Sequence, residues 1–270
     1  MKKNKIVSLI GVGLSLIGSF AVQAEDFIPK STYNWTGVYG GGFVGAGGAN
    51  IKASGPETNG IQWNSPGNKD NNYNTGGNFI GGGTLGYNWQ MANTPYVLGL
   101  EAEYGYLDMD ATNPDPNNSA YNAQFNRRHR PTPSNPLANG VANTNIGSDY
   151  GYGLVGGRIG YSMDRALLFV KSGAVFTSSQ SGYTDANSGL NIQEKSKNNV
   201  GYAVGGGVEY ALPFDWSKNV SVKTEYMYFG LNTSTTTNGV YNTVYGQNPL
   251  NYSTNIDGVH TAKVGMNYKF

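Results

Sequence analysis

Cysteine is absent from all 270 residues. That excludes disulfide bracing and thiolate chemistry, so an exported chain of this kind is held by backbone pairing and burial. Charged residues are scarce, at 13%, and histidine occurs only twice, as His129 and His260, with no His-x-Ser at either. Without a cluster at metal-ligand spacing, the chain is expected to be neither an enzyme nor the holder of a metal or an obligate cofactor. The stretch "DMDATNPDPNN" has carboxylates but lacks the glycine and terminal glutamate of a calcium loop. Basic and acidic residues nearly balance, 18 against 17, which argues against a nucleic-acid binder. Beyond the N-terminus no stretch approaches the ~20 apolar residues of a helical span. Entry into a membrane would therefore have to be by strands.

The N-terminus is the exception. "MKKNKIVSLIGVGLSLIGSFAVQA" has a basic start, an apolar run from Ile6 to Phe20 and a small-x-small end at Val22-Gln23-Ala24. Residues 1–24 read as a secretory signal peptide and are set aside from the fold, residues 25–34 as a periplasmic lead-in, and 35–270 as one domain. Losing Lys2, Lys3 and Lys5 leaves the remainder near neutral to slightly acidic.

What the chain has in abundance is glycine, 40 residues, and tyrosine, 20 residues. Period-2 alternation recurs in eight segments. In "NNVGYAVGGGVEY" the large residues Val200, Tyr202, Val204, Val208 and Tyr210 alternate with glycine, Ala203 and Glu209. The first segment, "WTGVYGGGFVGAG", sets Trp35, Tyr39 and Phe43 on one face; the last, "HTAKVGMNYKF", sets Ala262, Val264, Met266, Tyr268 and Phe270. Three joins are short ("MANTP", "SMDR", "ALPFDWSKN") and alternate with long linkers rich in Asn, Ser, Thr, Gly and Pro. An even strand count with short turns at one end and long loops at the other predicts an all-β fold, an eight-stranded antiparallel transmembrane β-barrel with four long extracellular loops and short periplasmic turns.

Charge orients it. No Asp, Glu, Lys or Arg falls on the aromatic faces; the strand charges Glu101, Glu103, Arg158, Lys171, Glu209, Lys223, Glu225 and Lys263 fall on the opposite ones. A Lys or Arg on a lipid-facing strand at the bilayer midplane costs about 2–4 kcal/mol, so the large apolar faces are expected in lipid and the charges in the lumen. Gly205 and Gly207 would then make room for long ionic side chains inside a narrow barrel. The eight charges either line a narrow channel or pair and plug it, and their equal numbers favour pairing.

Three G-x-G-x-x-G matches (Gly40/Gly42/Gly45, Gly81/Gly83/Gly86 and Gly151/Gly153/Gly156) lie within strands with no helix following, so none is a dinucleotide site. "FNRRHRP", residues 125–131, is the one dense basic run. Arg127, Arg128, His129 and Arg130 are candidates to hold an acidic glycan, lipopolysaccharide or haemin, with His129 as axial ligand; the alternative is a solvated loop. His260, at the start of the last strand near the loop side, is expected to be structural or exposed at the rim.

"YNWTGVYGGGFVGAG" after a signal peptide resembles the first strand of the Omp25/Omp31-like porin family of small alphaproteobacterial outer-membrane proteins. "GGRIGYSMDRALLFVKSGAVF", "VKTEYMYFGL" and "HTAKVGMNYKF" are similar to later strands of that family. The resemblance spans Trp35 to Phe270. It departs in a long proline-rich loop from Asp110 to Ser148 and in the length of "ALPFDWSKN". It implies residence in the cell outer membrane, contact with its lipids and lipopolysaccharide, and assembly by the barrel-insertion machinery through Tyr268 and Phe270. It also implies a structural or porin-like role, with haemin or host contact as the alternative carried by the loops.

Overall fold

The computed structural model describes residues 33–54, 71–75, 77–107, 109–114, 140–147, 151–185, 190–193, 197–214, 217–243 and 246–270. Residues 1–24, expected as a signal peptide, and the Arg127–Arg130 run lie outside the described residues. Alternating large and small residues, interrupted by turn formers, give strands throughout: β1 (Gly37–Ser54), β2 (Asn71–Asn74), β3 (Asn78–Gln90), β4 (Tyr96–Leu107), β5 (Met109–Pro114), β6 (Gly140–Ile146), β7 (Tyr152–Met163), β8 (Ala166–Asp185), β9 (Leu190–Gln193), β10 (Lys197–Ala211), β11 (Val220–Thr243) and β12 (Gly246–Lys269). The eight segments found by alternation are β1, β3, β4, β7, β8, β10, β11 and β12. They pair antiparallel in that order and close through β12 on β1. Closure leaves no free edge in the membrane wall.

The short joins gather at one end, where Asn93 and Asp164 take positive φ (58° and 55°). Asn and Asp tolerate that region better than most residues. At the other end four short strands extend the wall: β2 pairs with β1, β5 with β6, and β6 and β9 with β8. The segment expected as a loop between the seventh and eighth strands is instead continuous ladder up to Thr243 opposite Gly246. A bulge between Gly230 and Thr233, with Asn232 at φ 44°, bends that ribbon.

The outward face is apolar on seven of the eight barrel strands as expected, including Leu85, Leu100, Val155, Val170, Val204 and Met266. From Phe79 to Trp89, both outward on β3, about 3.3 Å per residue at a tilt near 40° covers roughly 25 Å, the height of an outer-membrane apolar band.

β1 departs from expectation. Trp35, Tyr39 and Phe43 are buried, at 3%, 3% and 6% exposure, while Val38 and Val44 face out at 46% and 52%. Both faces of β1 are glycine-rich and neither carries a charge between residues 37 and 51, so alternation alone had nothing to mark the lumen side. The aromatic rings go inward because ions inside need them. Tyr39 donates a hydrogen bond to Glu101 (2.6 Å), and the Phe43 ring lies 4.9 Å from Lys263 Nζ.

Above the apolar band the sidedness reverses. On β11 the inward series Lys223, Glu225 gives way to Met227, Phe229 and Leu231, while the outward Tyr226 gives way to the exposed Asn232, Ser234 and Thr236. Across β4 and β5, inward Glu101 and Glu103 give way to Leu107 and Met109. Within lipid the wall is apolar outside and charged inside; beyond it, the wall has the sidedness of a water-soluble barrel.

Candidate functional site

The lumen is filled in layers. At the periplasmic mouth Tyr33, Trp35, Val97, Leu167 and Ala211 form an apolar cluster. Trp35 Nε1 donates to Ser162 Oγ at 3.0 Å and its backbone N–H to Gln90 Oε1 at 3.0 Å. Lys269 lies 4.3 Å over the Tyr33 ring and bonds the Asn34 carbonyl. Tyr33, Asn34 and Trp35 thus close the lower end of the barrel.

Next comes Arg158 on β7, whose Nη1 reaches Glu209 Oε2 at 2.9 Å and Glu101 Oε2 at 3.6 Å. Its Nε donates to Asn88 Oδ1 at 2.9 Å, and its guanidinium packs 4.7 Å from the Tyr39 ring centre and 5.3 Å from that of Phe169. Glu209 also accepts from Ser221 Oγ (2.5 Å) and Asn267 Nδ2 (2.8 Å). Every oxygen of that carboxylate therefore has a donor, which a buried charge requires.

Lys171 stands in the middle. Its Nζ contacts Glu101 at 2.6 Å, Glu225 at 3.0 Å and Glu103. Lys223 bridges Glu101 at 3.1 Å and Glu225 at 3.7 Å; Lys263 bridges Glu103 and Glu225, each at 2.7 Å. Tyr152 donates to Glu103 at 3.1 Å. All eight charges singled out in the sequence are buried here and belong to one connected net. The carboxylates of Glu101, Glu103 and Glu225 come within 4.8 Å of one another, a spacing a metal ion could use. The Lys171 ammonium, in contact with all three, is the cation that this cage holds. Sequence spacing could not reveal this convergence, because the three acids lie on β4 and β11, on opposite walls.

Among the described residues of the ion layer and the mouth below it, space is tight. Between Phe43, Glu103, Glu225 and Lys263 there is no room for a water molecule, and near Tyr39, Asn88 and Asn267 there is a space of about 10 Å³, one water at most. Glycine permits this density: a Cβ on Gly207 would fall 2.0 Å from the Thr224 carbonyl oxygen and 3.0 Å from the Phe169 ring. Above the ions a second apolar layer, including Tyr152, Leu154, Val175, Met227 and Phe229, continues into the extension beyond the bilayer.

Of the remaining candidates, Tyr268 and Phe270 face outward at the periplasmic end of β12, their rings in edge contact at 5.3 Å. His260 is exposed on the outer face of β12 and bonds Tyr226.

The chain is similar in sequence to known outer-membrane proteins. The 31 kDa outer-membrane immunogenic protein of Brucella melitensis biotype 1 is 28% identical over 265 residues, covering 92% of this chain and 89% of that protein. The 22 kDa outer membrane protein of Rhizobium leguminosarum bv. viciae is 27% identical over 144 residues, 53% of this chain and 48% of that protein. Among solved structures, the attachment invasion locus protein Ail of Yersinia pestis aligns over 85% of this chain and 99% of its own, at 12% identity and a TM-score of 0.32. The family model for the outer membrane protein beta-barrel domain matches residues 12–270. The chain belongs to that family, as a cell-outer-membrane β-barrel of the Omp25/Omp31 type.

Proposed function

We propose that the protein is a structural element of the outer membrane whose lumen does not conduct. The observation that carries this reading is the stacking of two apolar layers on either side of a closed ion-pair net. A solute would have to part Trp35 from Ser162, break several buried ion pairs and then cross Phe43, Met227 and Phe229. Net neutrality inside supports the same reading: four acids meet four bases, so no uncompensated charge is left to draw an ion in. Ion pairs linking opposite walls stiffen the barrel, which suits a protein that bears load in an envelope. The test is single-channel recording on refolded protein in a planar bilayer. A flat trace at protein densities confirmed by immunodetection is expected; reproducible steps that scale with protein would overturn the reading.

A second reading, capture of haemin or an anionic glycan at the surface, rests on the basic run Arg127, Arg128, His129 and Arg130. Retention of the detergent-solubilised protein on haemin-agarose or heparin resin, abolished by deleting residues 125–131, is its expected signature. Retention that survives the deletion would remove these residues from consideration.

A further inference from the structure

The lipid-facing side of β1 is unlike the rest of the wall. Its outward residues Gly40, Gly42, Val44, Ala46 and Gly48 include no aromatic, whereas at its upper end the adjacent β3 carries Phe79 and β11, one strand beyond β12, carries Tyr226 and Tyr228. The ladder sets Ala46 beside Ala262 and Phe79, and Gly48 beside His260. The result is a groove of about 290 Å³ on the outer surface, floored by Ala46, Gly48 and Ala262 and walled on one side by Tyr226 and His260. Beyond Ala46 stands the Phe79–Tyr106 pair, ring centres 6.4 Å apart. The groove lies at the height where the wall changes from apolar to polar, just below the exposed Lys52–Asp257 ion pair (2.8 Å).

We propose that this groove seats an acyl chain of a phosphorylated outer-leaflet lipid, the lipid anchor of lipopolysaccharide, with His260 on its headgroup. The membrane decides the occupant: the groove opens sideways into the outer leaflet, so hydrocarbon must fill it. The small floor lets a chain lie against the backbone between aromatic walls, where a bulkier strand would hold it off. His260 supplies the polar end. Its Nδ1 is bonded to Tyr226 at 2.6 Å, and Nε2 has no partner among the described residues. A phosphate oxygen at Nε2 selects the tautomer in which Nε2 carries the hydrogen and the Tyr226 hydroxyl donates to Nδ1. The ring is further held by Tyr228, 4.9 Å away between centres, so the donor is oriented before lipid arrives. The proposal rests on the outer-membrane location and is independent of whether the lumen conducts.

The test is native mass spectrometry of the refolded full barrel from mixed micelles containing diphosphorylated lipid A, or the same lipid with its phosphates removed. Heat-modifiable gel migration verifies folding of each variant. The wild-type protein is expected to retain one lipid A. Ala46→Phe, which fills the floor, should lower retention of both lipids by about tenfold or more. His260→Ala should lower retention of the phosphorylated lipid only. Val170→Phe, outward on β8 across the barrel, should change neither. Unchanged retention in Ala46→Phe, or an equal loss in Val170→Phe, would overturn the site. An equal effect of His260→Ala on both lipids would overturn the headgroup contact.

Discussion

Lys223 Nζ on β11 lies 3.1 Å from Glu101 Oε1 on β4, although 122 residues separate them in sequence and they stand on opposite walls of the barrel. The contact therefore spans the full lumen. Together with Lys171–Glu103 and Lys263–Glu103 it ties four strands, β4, β8, β11 and β12, through their side chains in addition to their backbone ladders.

Removing the central cation should be severe. Lys171→Met leaves Glu101, Glu103 and Glu225 facing one another with their compensation reduced, and truncating one partner of a buried pair costs roughly 3–5 kcal/mol. Urea titration of the refolded protein in detergent should show the midpoint fall accordingly. Adding Glu103→Gln should recover part of the loss, as expected for residues sharing one net. A variant as stable as the wild type would mean that the net contributes nothing.

Neutralising one ion should not open a pore. Lys171→Met and Glu225→Gln each leave the Trp35 layer below and the Phe43–Phe229 layer above intact. Bilayer recordings on both are expected to stay flat. Conductance after a single neutralisation would show that the ions alone seal the barrel.

The periplasmic closure is a stability element as well. Trp35→Ala removes a buried indole and its bond to Ser162, and such truncations cost about 3–5 kcal/mol in a packed interior. The unfolding midpoint measures the loss, and Ser162→Ala should reproduce only the hydrogen-bond part, on the order of 1 kcal/mol.

The sidedness of β1 is open to a direct check, because the chain has no cysteine. A spin label at Val44→Cys should be relaxed by oxygen dissolved in the bilayer, whereas Phe43→Cys should stay unlabelled until the barrel is unfolded. Correspondingly, Val44→Arg should destabilise by roughly 2–4 kcal/mol, the cost of a cation on the lipid face. Labelling of position 43 but not 44 in the folded state would reverse the assignment.

Much of the barrel was legible because alternation is local. In β10, the exposed Val200, Tyr202, Val204, Val208 and Tyr210 each sit two or four positions from the next, and a single Glu209 suffices to mark the other face. In β1 the same reasoning failed, since its inward aromatics have no charged neighbour on their own strand. Their partners, Glu101 and Lys263, belong to β4 and β12. The upper core of Ile51, Met109, Ile146 and Leu231 was missed for a related reason. Its residues lie in segments rich in Asn, Ser, Thr and Gly, whose composition resembles solvated loop until the strands are seen to continue.

Sequence alone determined that the chain would be strand-built, closed in the outer membrane, with its strand charges sheltered from lipid, because burial against hydrocarbon acts on every second residue of each strand. Only the tertiary structure decided which acid meets which base, that three carboxylates enclose Lys171, and that aromatic residues of β1 turn inward. Those outcomes depend on how closure brings opposite walls within ion-pair distance, a relation between strands that no single strand encodes.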